Sequence, residues 1–290
     1  MRASASPRCV MVFCLVWMAV AWHCFGGTVI EFEHDYSKYG KVSNTADGIC
    51  AAVATINSFV YLRNQYPSIY GGANIIPDWN QDNVIDEKDY VTSRDKLAYG
   101  WDSQPGIYGG GNNGLPDQWW NAKNAWLDQF APGTTVFRGQ SPWVDGSWTR
   151  ASQVQDKVPD WKFLMEQLRH CEDVEIGFYP WGGQQWKTGH AVTLTGFRLV
   201  DCNDNGEWDR NEEFSLFYCD PNDPENKKTA QVSLDSVGGW ENIMKITWWQ
   251  DGGEYFILNA FSESPVPDAA TGFLFSSGLV VVLPLLRRRR

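Results

Sequence analysis

The chain has 290 residues, of which 43% are hydrophobic, enough to build a packed core of one large or two modest domains and too many for a disordered chain. Its 35 acidic residues outnumber 24 basic ones, and six of the basic residues are arginines in two terminal segments. Because nucleic acids and anionic lipids are themselves negatively charged, this balance argues against either as a partner of the globular part.

Residues 1–27 have the pattern of a secretory signal. Arg2 and Arg8 precede a continuous apolar run, Cys9 to Val20, and small residues follow at Gly26 and Gly27. A basic segment, an apolar segment and a small-residue end are the three parts of such a signal. We therefore expect an exported protein, located at the cell envelope, the cell surface or in an extracellular matrix.

The first predicted helix of the exported part starts at Cys50. Apolar or small residues recur through Leu62, and Asn44 or Asp47 is available as the helix N-cap. Cys50 then lies in the first turn, where the positive end of the helix dipole favours a thiolate. This helix begins a mainly helical and loop half, which we place at residues 28–160.

Two acidic loops have the ligand spacing of an EF-hand, with oxygen-bearing residues at loop positions 1, 3, 5, 9 and 12 and a backbone carbonyl at position 7. Asn83 and Gly206 occupy their sharp-turn positions. Calcium is therefore the predicted ion, and an ion-free turn rich in Asp and Asn is the alternative. The predicted ligands are Asp78, Asn80, Asp82, Val84, Asp86 and Asp89 in the first loop, and Asp201, Asn203, Asn205, Glu207, Asp209 and Glu212 in the second. The first loop resembles a dockerin-type calcium loop.

Between the two loops, the pattern predicts a tryptophan-rich helix over 117–130 and an amphipathic helix over 160–169. The tryptophans suit core packing, and a sugar- or peptide-binding platform is the alternative. From 161 to 262 the chain is predicted to form a sheet of antiparallel hairpins. The fold class predicted from this order is α+β, with a helical half packed on an antiparallel β half.

Residues 263–290 form a hydrophobic stretch that ends in four arginines, Arg287 to Arg290. This segment resembles the tripartite sorting tail of exosortase substrates, although Pro267-Asp268-Ala269 stands where Pro-Glu-Pro is usual. The resemblance implies an exosortase-like sorting enzyme as a partner. A simple C-terminal membrane anchor is the alternative, and in both cases membrane contact is confined to the termini.

Once the signal is set aside, the cysteines that remain are Cys50, Cys171, Cys202 and Cys219. Their spacing shows no zinc pattern. In an oxidising compartment we expect a disulfide among the last three, and Cys202 with Cys219 would close the loop between two adjacent strands. Cys50 is then available for chemistry.

Two further residues complete a candidate catalytic set with Cys50. His190 begins an apolar, β-branched run that is predicted to be a buried strand, and Asp220 ends the next strand along the chain. Thiolate catalysis needs a nucleophile, a base and a group that orients the base, and the three residues supply these in order. The alternative is a small buried cysteine and a core histidine with no catalytic role.

The three motifs around these residues, Asp47–Ala52, Gly189–Phe197 and Tyr218–Asn222, resemble those of the papain-like superfamily of cysteine peptidases, in particular its immunoglobulin-degrading branch. The resemblance implies a papain-like fold and a peptide or protein substrate. It also implies a side-chain donor for the oxyanion upstream of the cysteine, for which Asn44 and Lys41 are both candidates. Two other functions stay open: a catalytically inactive papain-like surface or matrix module that binds calcium, and a transglutaminase-like acyl transferase.

Overall fold

A computed structural model of the protein describes residues 27–44, 48–71, 75–183, 189–210 and 212–266. The predicted signal and the part of the sorting tail after residue 266 lie outside these ranges, apart from Gly27. Five α-helices and nine strands occur among the described residues, together with two short 3-10 helices at Tyr36–Lys38 and Ala151–Gln153. In chain order the elements are β1 (Thr28–Glu33), α1 (Cys50–Gln65), α2 (Pro67–Tyr70), α3 (Glu87–Tyr99), α4 (Pro116–Phe130), β2 (Thr135–Ser141), β3 (Val154–Asp156), α5 (Trp161–Arg169), β4 (Asp173–Tyr179), β5 (His190–Asp201), β6 (Glu213–Asp220), β7 (Asp223–Val237), β8 (Trp240–Thr247) and β9 (Glu254–Pro265).

A closed barrel of six antiparallel strands is the centre of the molecule. Strands β4 to β9 pair with their chain neighbours in turn, and β4 also pairs with β9, which closes the ring. Because every barrel strand has a partner on both sides, closure leaves no open edge within the ring. Strand β1 extends the sheet at β5, and β2 with β3 extends it at β9.

This architecture corrects the predicted α+β, papain-like fold class. The molecule is mostly β, with few helices, and its central element is a closed barrel rather than a set of hairpins. One strand of the ring, β7, has little apolar signal in the sequence. Its outward-facing residues are polar, and inward-facing Ala230 and Val232 provide much of its apolar face. Apolar periodicity is therefore too weak to reveal this strand of the ring.

Helix α1 lies between the barrel and the other helices of the first half. Its residues from Cys50 to Leu62 are buried on every side, as expected for a helix that is apolar all round. It packs against β4 and β5 on one side and against α2, α3 and α4 on the other. The predicted helix is confirmed, but its N-cap is Ile49, which makes no side-chain capping bond. Asn44 does not cap it, and Asp47 lies outside the described residues.

The tryptophans of α4 are core residues, as the sequence analysis favours. Trp119 and Trp120 are fully buried beside Phe261, and Trp126 is fully buried beside Trp101 and Phe130. The predicted helix over 160–169 is α5, and Asp160 caps it by accepting the backbone N–H of Phe163 at 2.8 Å. Its apolar face packs on β1, β4 and β5.

The predicted disulfide is wrong. None of the four cysteines that the structure describes forms a disulfide, and Cys219 is buried whereas Cys202 is exposed. The register of β5 and β6 gives the reason: Thr193 pairs with Cys219 near one end of the hairpin, whereas Val200 pairs with Glu213 at the other, next to Cys202. A disulfide requires Cα atoms within about 7 Å, and this hairpin separates the two cysteines by most of its length.

Candidate active site

Cys50, His190 and Asp220 are brought together at one end of the barrel, where α1 begins. Gly48 holds a left-handed backbone angle, φ of 87°, which turns the chain into the helix. Cys50 is then the first helical residue, His190 the first residue of β5 and Asp220 the last residue of β6. Three segments that are distant in sequence thus contribute one side chain each.

The histidine ring lies between the thiol and the carboxylate. Its Nε2 is 2.9 Å from Oδ1 of Asp220, so the ring nitrogen left for the hydrogen bond with the Cys50 thiol is Nδ1. Phe178 meets the ring edge-on at 5.4 Å between centroids, and Trp248 lies at 4.7 Å. These aromatic contacts fix the orientation of the imidazole.

The carboxylate of Asp220 is fully buried and held by several donors. The backbone N–H of Asn222 donates to Oδ1 at 2.8 Å, and the indole N–H groups of Trp248 and Trp249 donate to Oδ2 at 3.0 and 2.7 Å. Burial alone would raise the pKa of Asp220, but these donors and His190 outweigh it and lower the pKa. Asp220 is therefore an ionised partner for the imidazole. The two tryptophans carry no sequence signal that marks them as part of a site.

Histidine and cysteine influence each other's ionisation. Burial disfavours the charged imidazolium, but Asp220 and Cys50 raise the pKa of His190 to about 9. Burial likewise opposes ionisation of the Cys50 thiol, yet hydrogen bonds from His190, the backbone N–H of Ala191 and the hydroxyl of Tyr108 lower its pKa. The combination favours a thiolate–imidazolium pair near neutral pH.

Cys219 provides a contrast within the same molecule. Burial raises its pKa to about 11, because the nearby charge of Lys41 and the hydroxyl of Tyr36 compensate only part of the cost of desolvation. Its sulfur lies near the backbone oxygens of Gly40 and Pro224. Of these two buried thiols, Cys50 is thus the one suited to nucleophilic chemistry.

The two residues considered as oxyanion donors are held by other partners. Asn44 donates its backbone N–H to the Pro221 carbonyl at 2.7 Å and its side-chain amide to Asn222 at 3.2 Å. The ammonium group of Lys41 donates to the Tyr36 carbonyl and lies over the Tyr36 ring, both at 3.1 Å. The backbone N–H of Cys50, at the start of α1, is a donor that does not depend on either side chain.

The two acidic loops close with the same hydrogen-bond pattern. In the first, Asp89 accepts the backbone N–H groups of Trp79 and Asp86, the second and ninth residues of the loop. In the second, Glu212 accepts those of Cys202 and Asp209 at the corresponding positions. The sharp-turn residues Asn83 and Gly206 have left-handed φ angles of 67° and 74°, as the spacing predicts. The second loop connects β5 to β6 and lies at the far end of that hairpin from His190.

A separate group of buried charges, which the sequence analysis does not identify, lies between α4 and strands β4 and β9. Asp173, Glu175 and Glu263 each place one carboxylate oxygen within 4.8 Å of the others, an arrangement that could hold a metal ion. The ammonium group of Lys123 already pairs with Glu175, and with Glu263 at 2.6 Å. Lysine thus supplies positive charge to this core cluster.

Comparison with known proteins assigns no family. No family model matches the chain, and no curated protein matches it significantly. Among the described residues, no helix is both long enough and apolar enough to cross a membrane.

Proposed function

We propose that this chain is an exported cysteine peptidase that hydrolyses peptide bonds through Cys50, His190 and Asp220. The observation that carries the proposal is the continuous contact from thiol to imidazole to a carboxylate held by two indoles. A cysteine paired with a histidine that is itself oriented by a third group is the arrangement that activates a sulfur nucleophile.

Acylation uses the thiolate–imidazolium pair directly. The Cys50 sulfur attacks the carbonyl carbon of the scissile peptide bond, and the carbonyl oxygen takes the negative charge. The backbone N–H of Cys50 stabilises that oxyanion. When the C–N bond breaks, His190 gives its proton to the departing amine, and a thioester to Cys50 remains.

Hydrolysis of the thioester returns the site to its starting state. The now neutral His190 takes a proton from a water molecule, whose oxygen attacks the thioester carbonyl. The C–S bond breaks, the carboxylic acid product leaves, and the sulfur again faces an imidazolium. Asp220 holds the ring in one orientation through both halves of the reaction and stabilises its charged form.

The peptidase is tested by digestion of a broad peptide library, with cleavage products identified by mass spectrometry. Wild type is expected to cleave, and Cys50→Ala is expected to reduce cleavage to background. Cys219→Ala serves as the matched control, because it removes a buried thiol with a raised pKa. Equal cleavage by wild type and Cys50→Ala would refute the proposal, and incorporation of added amines without cleavage would indicate an acyl transferase.

One observation favours a second function, a catalytically inactive module that binds a partner at the cell surface. Cys50 and His190 each retain 8% exposure, and both upstream candidates for the oxyanion donor are engaged elsewhere. The same library separates the two functions, since the inactive module would leave every peptide intact. A folded wild type whose Cys50 is not alkylated by iodoacetamide would support the inactive module.

We also propose that the two acidic loops bind calcium. Two features support calcium binding. In both loops the twelfth residue accepts the backbone N–H groups of the second and ninth residues, and the predicted ligands are oxygen atoms, which suit a hard cation. An ion that binds the folded state raises its stability, so EDTA is expected to lower the Tm and calcium to restore it. Asp201→Asn should weaken the response, whereas Asp102→Asn, outside both loops, should not. A Tm that is insensitive to EDTA and calcium would refute this part of the proposal.

Export and sorting complete the proposal. The N-terminal signal pattern and the C-terminal tail support delivery to the cell envelope, with an exosortase-like enzyme acting on the tail. Expression of the full chain followed by cell fractionation tests this, and retention of the intact precursor in the cytoplasm would contradict it.

A further inference from the structure

The hydroxyl group of Tyr108 lies at the start of α1, next to the Cys50 thiol. Its hydroxyl accepts the backbone N–H of Ala51 at 3.3 Å and also makes a hydrogen bond with the Cys50 side chain. Since the hydroxyl oxygen accepts from the helix, its single proton is free to point toward the sulfur. Tyr108 therefore joins the N-terminal end of the helix to the reactive atom.

The segment that carries Tyr108 is firmly held. Its backbone N–H donates to the Ala98 carbonyl of α3 at 2.7 Å, and the neighbouring Ile107 donates to Leu97 at 2.9 Å. On the other side, Gly114 lies so close that a Cβ at this position would overlap the tyrosine ring. The segment of Tyr108 is thus fixed between α3 and Gly114, and this determines the position of the hydroxyl group.

We propose that Tyr108 is a catalytic residue, whose hydroxyl donates a hydrogen bond to the Cys50 sulfur and keeps that sulfur in its thiolate form. A donor to the charged form of an acid stabilises that form, and a charge-assisted hydrogen bond is stronger than a neutral one. The Ala51 N–H strengthens the donor, because it withdraws charge from the phenolic oxygen. Tyr108 thus adds a side-chain donor to the helix dipole and to His190 in stabilising the thiolate.

The groups that face the thiol come from three elements. His190 belongs to β5 and carries positive charge, Tyr108 belongs to the segment between α3 and α4, and Tyr179 ends β4. The Tyr179 hydroxyl accepts the side-chain amide of Asn259 at 2.8 Å. Asp220 lies behind the imidazole and influences the thiol through it. Tyr108 and His190 are consequently the side chains that donate directly to the sulfur.

The role of Tyr108 in catalysis rests on the proposed peptidase function. Its effect on the Cys50 thiolate can be measured without substrate. The absorbance of the thiolate near 240 nm is followed against pH in wild type and in Tyr108→Phe, each corrected with its Cys50→Ala counterpart. Loss of the hydroxyl is expected to raise the midpoint of thiolate formation by about one pH unit, a roughly tenfold smaller thiolate fraction below that midpoint.

Tyr99→Phe is the matched control, since Tyr99 ends α3 and is 54% exposed. The rate of Cys50 alkylation by iodoacetamide should follow the absorbance midpoint in all three proteins. Tyr108→Leu provides a second variant if Tyr108→Phe does not fold. An unchanged midpoint in either folded variant would overturn the inference.

The two proposals fail in different ways. If peptides stay intact while Tyr108→Phe raises the thiolate midpoint, the peptidase is wrong and the role of Tyr108 holds. If wild type cleaves peptides and Tyr108→Phe keeps the wild-type midpoint and acid limb of the pH–rate profile, the peptidase holds and the role of Tyr108 is wrong.

Discussion

Two buried aspartates, Asp220 at the candidate active site and Asp173 in the core cluster, are equally inaccessible to solvent. Their pKa values nevertheless shift in opposite directions. Four donors satisfy both oxygens of Asp220, and its pKa is lowered. Asp173 accepts one backbone N–H, its other oxygen has no partner, and burial together with Glu263 and Glu175 raises its pKa well above the usual value. Depth of burial therefore does not decide charge; the supply of donors does.

The same contrast extends to the cations. The imidazole of His190, whose pKa is raised to about 9, can still give up and regain its proton, which is what a general acid and base requires. The Lys123 ammonium is fully buried between carboxylates that raise its pKa, so it keeps its charge. One cluster is suited to proton transfer, and the other to holding β4, β9 and α4 together.

The largest expected effect is on stability, at the core cluster. Lys123→Met removes the counter-ion of Glu175, and breaking a buried ion pair costs about 3–5 kcal/mol. Urea unfolding should show this loss, whereas Lys157→Met, which breaks the half-exposed pair with Asp160, should cost no more than about 1 kcal/mol. Equal losses of unfolding free energy in the two variants would show that the buried ion pair of Lys123 stabilises the fold no more than the half-exposed pair of Lys157.

A large effect on rate is expected at the site. Asp220→Asn removes the charge that holds the His190 ring in its protonated form, and peptide cleavage should fall by about 10²–10⁴-fold, the range of general acid–base catalysis. The alkaline limb of the pH–rate profile, expected near pH 9 in wild type, should move to lower pH because the pKa of His190 falls. Asp223→Asn, in the same turn, is the control. If the alkaline limb of Asp220→Asn stayed where it is in wild type, the Asp220 carboxylate would not be what raises the pKa of His190.

A smaller effect concerns the pH dependence of stability. Burial and Glu175 raise the pKa of Glu263 to about 8, against 4.5 as its ordinary value, although Lys123 offsets part of the shift. The folded state therefore holds this proton more tightly, so its contribution to stability is complete below about pH 4.5 and is lost as pH rises through 8. Glu263→Gln should reduce the fall in Tm between pH 5 and 8 by about 2 °C or more.

Exposed Glu241 supplies the control for that experiment. Glu241→Gln should leave the pH dependence of the Tm unchanged. If Glu263→Gln and Glu241→Gln gave the same profile as wild type, the raised pKa of Glu263 would be ruled out.

The sequence indicates the site residues better than the fold that carries them. The helix at Cys50, the strand that starts at His190 and the strand that ends at Asp220 are all strongly apolar segments, and the structure brings their ends together. The barrel could not be predicted in this way, because β7 is polar along most of its length. That strand is defined by its pairing with β6 and β8, which a linear pattern does not record.

The residues that support the catalytic set and the core cluster also cannot be predicted from the apolar pattern of the sequence. Tyr108, Trp248 and Trp249 reach the site from loops or turns, where no periodicity constrains their direction. Lys123 sits in a helix whose polar residues suggest a surface, yet it is fully buried. In each case the missing information is a long-range contact.

Closure of the barrel has a consequence for when the thiol becomes reactive. Asp220 and the two tryptophans that donate to it lie on either side of β7 and β8 in the chain, so the indole donors reach the carboxylate when those strands are paired. In the unfolded chain Cys50 is an ordinary thiol, mostly protonated at neutral pH. The unfolded chain is thus less exposed to alkylation and mixed-disulfide formation than a chain with a preformed thiolate would be.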